Sequence, residues 1–179
     1  MKSLSAIRFS LINLVAFVGF ATHANPHQHD HGQLLVSQEG ADWHLEFTLP
    51  AINVFGFEHK PQNQAHHKKI ESFVNLLKDP SQVLSLGELC KTTSSVEHIS
   101  SQLSDRHHQS EHEHDEHEHS THMDVKFEYQ FKCNAKINDV KVRLFPHLAG
   151  LEQLSVMWVT DKKQGATTLT PTAPTFSIN

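Results

Sequence analysis

A histidine-rich, acidic run interrupts the chain and limits where a folded core can form. Seven of the seventeen histidines lie between positions 107 and 122, with five acidic residues and no Lys, Arg or large apolar side chain among them. Such a segment cannot bury enough apolar surface to offset the entropy lost on ordering. Because residues 92–104 are rich in Ser and Thr, we predict a disordered loop over residues 92–122, flanked by two foldable segments.

The amino terminus has the pattern of a secretory signal peptide. A positively charged start precedes an uncharged twelve-residue run, residues 9–20, and small residues occupy positions 22 and 24. The run is short for a bilayer span. We therefore predict a signal peptide over residues 1–24, cleaved before Asn25, and a periplasmic mature chain that does not span a membrane. A retained membrane anchor is the alternative.

Length and charge narrow the class of the mature chain. Residues 25–179 are long enough for one domain with a modest core. Removing Lys2 and Arg8 from the 15 basic residues leaves 13 against 20 acidic residues, a net charge of −7. That charge argues against binding to nucleic acid or anionic lipid and favours a weak attraction for cations.

The two cysteines, Cys90 and Cys133, are expected to form a disulfide. Exported chains meet an oxidising compartment, where two cysteines usually pair. A bond between them would close a loop of about 44 residues, and chain entropy puts its contribution at roughly 4 kcal/mol. Paired thiolate metal ligands are the alternative, although no CxxC spacing is present.

Hydrophobic periodicity predicts an α+β fold: a single domain with a mainly antiparallel sheet and two helices, in the order β-β-α-β, His-rich loop, β-α-β-β. The predicted strands cover residues 34–37, 43–49, 82–86, 125–133, 154–158 and 167–178. The predicted helices cover residues 64–78, with Asn63 as cap and Pro80 as stop, and residues 134–145, where a strand is the alternative. Residues 51–61 are expected to be a connection.

Metal binding is the chemistry that the histidine-rich run favours. Neutral imidazole suits Zn, Cu, Ni and Fe, and neighbouring carboxylates add oxygen donors and negative charge. The H-x-H spacing lets two rings of an extended chain reach one ion, whereas the alternative is a solvated polar linker. The predicted metal ligands of this run are His107, His108, His112, His114, His117, His119 and His122.

Two smaller histidine clusters lie nearer to predicted strands. His27, His29 and His31 alternate just after the predicted cleavage site, which sends their rings to one side of an extended chain. Glu58 and His59 are adjacent in the connection before the main helix. The first cluster is alternatively a frayed terminus, and His59 alternatively a surface histidine.

Enzyme motifs are missing from the sequence. His112-Glu113 and His117-Glu118 lack the second histidine of the HExxH zinc-protease motif, and neither GxSxG nor a glycine-rich phosphate loop occurs. We therefore expect a binding protein that is not an enzyme.

Several segments together resemble a known family. His29-Asp30-His31-Gly32 opens a strand, Gly56-Phe57-Glu58-His59-Lys60-Pro61 follows the hairpin, and Phe131-Lys132-Cys133 follows the acidic His-rich insertion. In this order, over nearly the whole mature chain, they resemble the ZrgA-like family of zinc-regulated periplasmic zinc-binding proteins.

The resemblance implies a solute-binding role with zinc as cargo, delivered to an ABC-type zinc importer. A periplasmic zinc buffer or chaperone without a transporter partner is the alternative. Carried over position by position, the resemblance makes His29, His31, Glu58 and His59 the best candidates for an ordered site. Zinc comes from the resemblance, because ligand chemistry alone is also compatible with Ni, Co and Cu.

Imidazole ligation predicts that zinc affinity depends on pH. An imidazole must be neutral to bind metal, so affinity should fall as pH drops through about 6.5. Calorimetric titration of the mature chain with zinc at neutral and at mildly acid pH measures the change. Equal affinity at the two values would contradict imidazole ligation.

Overall fold

The strands follow the alternation of apolar and polar side chains that the sequence displays. The computed structural model of the chain describes residues 29–99, 123–148 and 150–178, so the predicted signal peptide and the run from 107 to 122 lie outside it. The strands are β1 (His31–Glu39), β2 (Asp42–Pro50), β3 (Leu84–Ser85), β4 (Cys90–Glu97), β5 (Asp124–Cys133), β6 (Asp139–Val142), β7 (Gln153–Val159), β8 (Gln164–Leu169) and β9 (Thr175–Ser177). The helices are α1 (Ala51–Phe55), α2 (Gln64–Leu77) and α3 (Pro80–Val83), and a 3₁₀ turn covers Phe145–His147.

Two sheets share one hydrophobic core. The larger has the strand order β4-β5-β2-β1-β7-β8, and the smaller has the order β3-β6-β9. Strands β1 and β7 pair in parallel, and the other described pairs are antiparallel. The predicted class, a single α+β domain with a mainly antiparallel sheet, is confirmed.

The β1–β2 hairpin forms where the sequence predicts it. Gly40 supplies the positive φ that the turn requires, at 58°. At the other end of β1, a Cβ on Gly32 would lie 2.6 Å from Leu49 Cδ2 and 3.0 Å from Leu154 Cδ1. The glycine after His31 therefore has a packing role, since it lets the start of β1 approach its neighbours closely.

Helix α2 docks its apolar stripe on the buried face of the larger sheet. The Asn63 side chain accepts a hydrogen bond from the His66 backbone N–H, which is the predicted N-cap. The Phe73 ring meets that of Phe127 edge to face at 5.9 Å. The Tyr129 hydroxyl donates to the Leu77 carbonyl at 2.8 Å, so β5 satisfies an acceptor at the helix end. None of the described helices is long and apolar enough to cross a bilayer.

The second predicted helix, over residues 134–145, is wrong. Residues Asp139–Val142 form β6, which pairs with β3 on one side and β9 on the other. Val140 and Val142 are buried on one face of this strand. The apolar positions fit both a helical and an alternating period, and partners distant in sequence decide for the strand.

Several other boundaries differ from those expected. The predicted strand over residues 167–178 divides between β8 in the larger sheet and β9 in the smaller. The connection over residues 51–61 contains α1, and the predicted strand over residues 82–86 is reduced to the two residues of β3 behind α3. Strand β4 and the buried Ile99 show that disorder starting at residue 92 is wrong. Its Ser and Thr residues are tolerated because β4 is an edge strand with a largely exposed surface.

A disulfide joins Cys90 and Cys133, which confirms the predicted pairing and excludes the thiolate-ligand alternative. The two residues face each other in the β4–β5 register, beside the hairpin turn, where the Cys133 N–H donates to the Ala41 carbonyl. The bond does not lie at the end of β4 that leads into the histidine-rich insertion. It lies instead at the opposite end of β4, about 23 Å away at 3.3 Å per strand residue.

Removing the disulfide should destabilise the domain without rearranging it. The double substitution Cys90→Ser with Cys133→Ser should lower the free energy of unfolding by about 2–4 kcal/mol, because the unfolded chain regains the entropy of an open loop. Urea unfolding measures the change. Adding a reductant should destabilise the wild type by a similar amount and leave the variant unaffected; a reductant effect on the variant would contradict this account.

Candidate metal site at one end of the sheet

The two residues that flank positions 100–122, Ile99 and Met123, lie at the end of the larger sheet where β1 begins. The Met123 carbonyl accepts from the Ala51 N–H at 2.8 Å, and Asp124 pairs with Pro50 at the end of β2. The antiparallel β1–β2 register places the end of β2 beside the start of β1. The residues before β1 and both flanks of the histidine-rich insertion therefore lie at the same end of the larger sheet, which we call the sheet edge.

His29 and Glu58 meet at this edge. His29 Nδ1 lies 3.3 Å from Glu58 Oε1, and the exposed side-chain fractions are 56% and 20%. The segment with Glu58 follows α1, whose left-handed C-cap Gly56, with φ at 78°, redirects the chain. Hydrogen bonds from the N–H groups of Glu152 and Gln153 to the Asp30 carbonyl hold the residue after His29. Two segments far apart in sequence thus converge.

His59 lies beside His66 rather than at the His29–Glu58 contact. The two rings are 5.2 Å apart, and both lie against Phe57, at 5.2 Å from His59 and 4.2 Å from His66. Phe57 itself is buried and stacks on Phe55. His59 Nδ1 also lies 2.8 Å from the Lys60 carbonyl, which fixes the ring orientation. The buried aromatic pair therefore anchors the loop that carries Glu58 and His59.

His66 is a residue that the sequence analysis left out of the predicted site. Desolvation lowers its pKa, and positive charge on His59, Lys69 and His67 lowers it further. The Gln62 N–H donates to His66 Nδ1 at 3.2 Å, a hydrogen bond that requires this nitrogen to be unprotonated. Two sequence signals could have singled out His66. It lies in the first turn after the helix cap Asn63, and it lies one turn before the apolar Ile70.

His31 faces the open side of the sheet. Its Nε2 lies 2.7 Å from Ser155 Oγ on β7, because β1 and β7 are parallel neighbours. A second histidine on that side, His44, has Nε2 2.7 Å from Glu128 Oε2 on β5. The alternation of β2 and β5 predicts that His44 and Glu128 lie on polar faces. Their contact depends on the β2–β5 register, which the sequence does not reveal.

The described part of the chain contains no group of three or more His, Cys, Asp or Glu side chains arranged to hold a metal ion. It offers imidazole and carboxylate donors in pairs, a donor set whose chemistry fits zinc. His27 and the seven predicted ligands from His107 to His122 lie outside the described residues.

The model of the ZrgA family of zinc uptake proteins matches residues 26–178. The chain therefore belongs to this family. A search of curated proteins finds no match.

Truncating Phe57 should loosen the loop that carries Glu58 and His59. The side chain is 5% exposed, so Phe57→Ala should lower the free energy of unfolding by about 3 kcal/mol through lost burial and a cavity. Urea unfolding measures the loss, and the ring-current shift on the His66 resonances should disappear in NMR spectra. Leu89→Ala, at a side chain 60% exposed, is the control and should change neither. If the Phe57→Ala variant were as stable as the wild type and its His66 resonances kept their wild-type positions, the anchoring role would be contradicted.

Proposed function

We propose that this member of a zinc uptake family is an exported periplasmic protein that captures Zn²⁺ and delivers it to an ABC-type zinc importer. We also propose that the protein has no catalytic activity, because its sequence carries no nucleophile or general-base motif of a known hydrolase. Family membership supports the role in zinc uptake.

The observation that carries the proposal is the convergence at one sheet edge. His29 meets Glu58 there, His59 follows in the same loop, and the flanks of the histidine-rich insertion attach at the same edge. Ions gathered by the insertion would thus be released close to oriented imidazoles.

The two kinds of histidine suit two steps of capture. An extended run of rings and carboxylates binds ions quickly, but each site must be ordered on binding, which weakens it. Rings already oriented by neighbours lose less entropy when they bind. We propose that the insertion raises the local zinc concentration and that His29, His31, Glu58 and His59 form the region of firmer binding.

Family membership supports zinc over Ni, Co and Cu as the cargo. Delivery and buffering make opposite predictions for growth. A strain lacking this chain should grow poorly in chelated medium if the protein supplies an importer, and growth should recover when zinc is added. Unimpaired growth of the deletion strain would favour a buffer or chaperone over a role in delivery.

Deleting residues 105–122 should separate the two classes of site. Calorimetry of the mature chain with zinc should show several ions bound, and the deletion should remove the weaker ones and leave a tight site. In the deleted chain, His29→Ala combined with His59→Ala should weaken zinc binding at that site more than about 100-fold. Changes to outer-shell partners reach about 100-fold at most.

His147→Ala is the matched control, since this exposed histidine lies in the 3₁₀ turn and outside the proposed site. It should leave the tight site unchanged. Loss of all zinc binding on deletion of residues 105–122 would place the cargo on the insertion and contradict an ordered site.

A further inference from the structure

Two histidines at the sheet edge have acceptors that select one tautomer. His29 Nδ1 faces the Glu58 carboxylate at 3.3 Å, and His59 Nδ1 faces the Lys60 carbonyl at 2.8 Å. A carboxylate and a carbonyl accept hydrogen bonds, so both contacts favour a hydrogen on Nδ1. In a neutral ring the other nitrogen, Nε2, then has the lone pair that binds metal.

The relative exposure of His29 and Glu58 orders them with respect to solvent. The His29 side chain is 56% exposed, whereas that of Glu58 is 20% exposed. The carboxylate is therefore the more shielded of the two groups. It contacts the ring at Nδ1, as an outer-shell carboxylate does in histidine–metal sites.

We infer that Glu58 is a positioning residue and not a metal ligand. Its carboxylate holds the His29 ring at Nδ1 and leaves Nε2 as the nitrogen that binds zinc. Outer-shell partners of this kind change metal affinity about 10–100-fold. The inference rests on the proposed function, because it assigns a role within that site.

The neighbouring histidines provide internal controls. The acceptor for His59 is a backbone carbonyl, which substitution at Glu58 leaves in place. The partner of His31 is the Ser155 hydroxyl, which can donate or accept and so does not select a tautomer. Substitution of Glu58 should therefore change the tautomer of His29 and leave those of His59 and His31 as they were.

Zinc affinity and imidazole ¹⁵N NMR of the mature chain test the inference in Glu58→Ala and Glu58→Gln. Glu58→Ala should weaken the tight site about 10–100-fold. Glu58→Gln should retain most of the affinity, because the amide oxygen still accepts from Nδ1–H. Without metal, His29 should be protonated on Nδ1 in the wild type and in Glu58→Gln, and should shift toward the Nε2–H tautomer in Glu58→Ala. With zinc, His29 should be coordinated through Nε2.

Ser155→Ala is the matched control and should leave the His29 tautomer unchanged. If both Glu58 variants lose affinity equally while His29 keeps its tautomer, Glu58 is a ligand and the inference fails. Zinc bound to His29 Nδ1 would overturn it as well. If the wild type binds no zinc, the proposed function fails. The tautomers measured without metal then still show whether Glu58 holds the His29 ring.

Discussion

Pairing between β2 and β5 is the constraint on which the rest of the structure depends. The register runs without a break from Asp42 opposite Lys132 to Pro50 opposite Asp124, and Phe47 stacks on Phe127 across it at 4.8 Å. These strands come from opposite sides of the histidine-rich insertion. Because they are joined along their length, an insertion of any length leaves the core intact, since loop-closure entropy grows only slowly with length. The same register fixes the edge from which the insertion departs.

The disulfide and the candidate metal site lie at opposite ends of the larger sheet. At the hairpin end, the Cys90–Cys133 bond ties edge strand β4 to the centre of the sheet. At the other end, the histidines and carboxylates are held by hydrogen bonds and aromatic stacking on Phe57. The covalent tie therefore lies away from the loop after α1. The two cysteines are bonded to each other, so neither offers a free thiolate.

The proposed capture of zinc combines two physical strategies. A charged, histidine-rich segment attracts cations and samples many ligand arrangements, which favours speed over strength. In this proposal, oriented rings such as those of His29 and His59 would favour strength, because rings already held by their neighbours lose less entropy on binding. The flanks of that segment and the oriented rings lie at the same end of the sheet, which in this proposal shortens the transfer. Acidification weakens both, since each depends on neutral imidazole.

The sequence by itself determined the elements whose signal is local. Alternation specified β2 and β5, an Asn cap and an apolar stripe specified α2, and two cysteines in a chain expected to be exported specified the disulfide. It also marked the histidines, and the resemblance selected His29, His31, Glu58 and His59. Only the tertiary structure decided that β6 is a strand and that Glu58 meets His29 while His59 meets His66. It also decided that the disulfide lies far from the insertion. These outcomes depend on strand registers and contacts between residues distant in the chain, whose energies are absent from any local pattern.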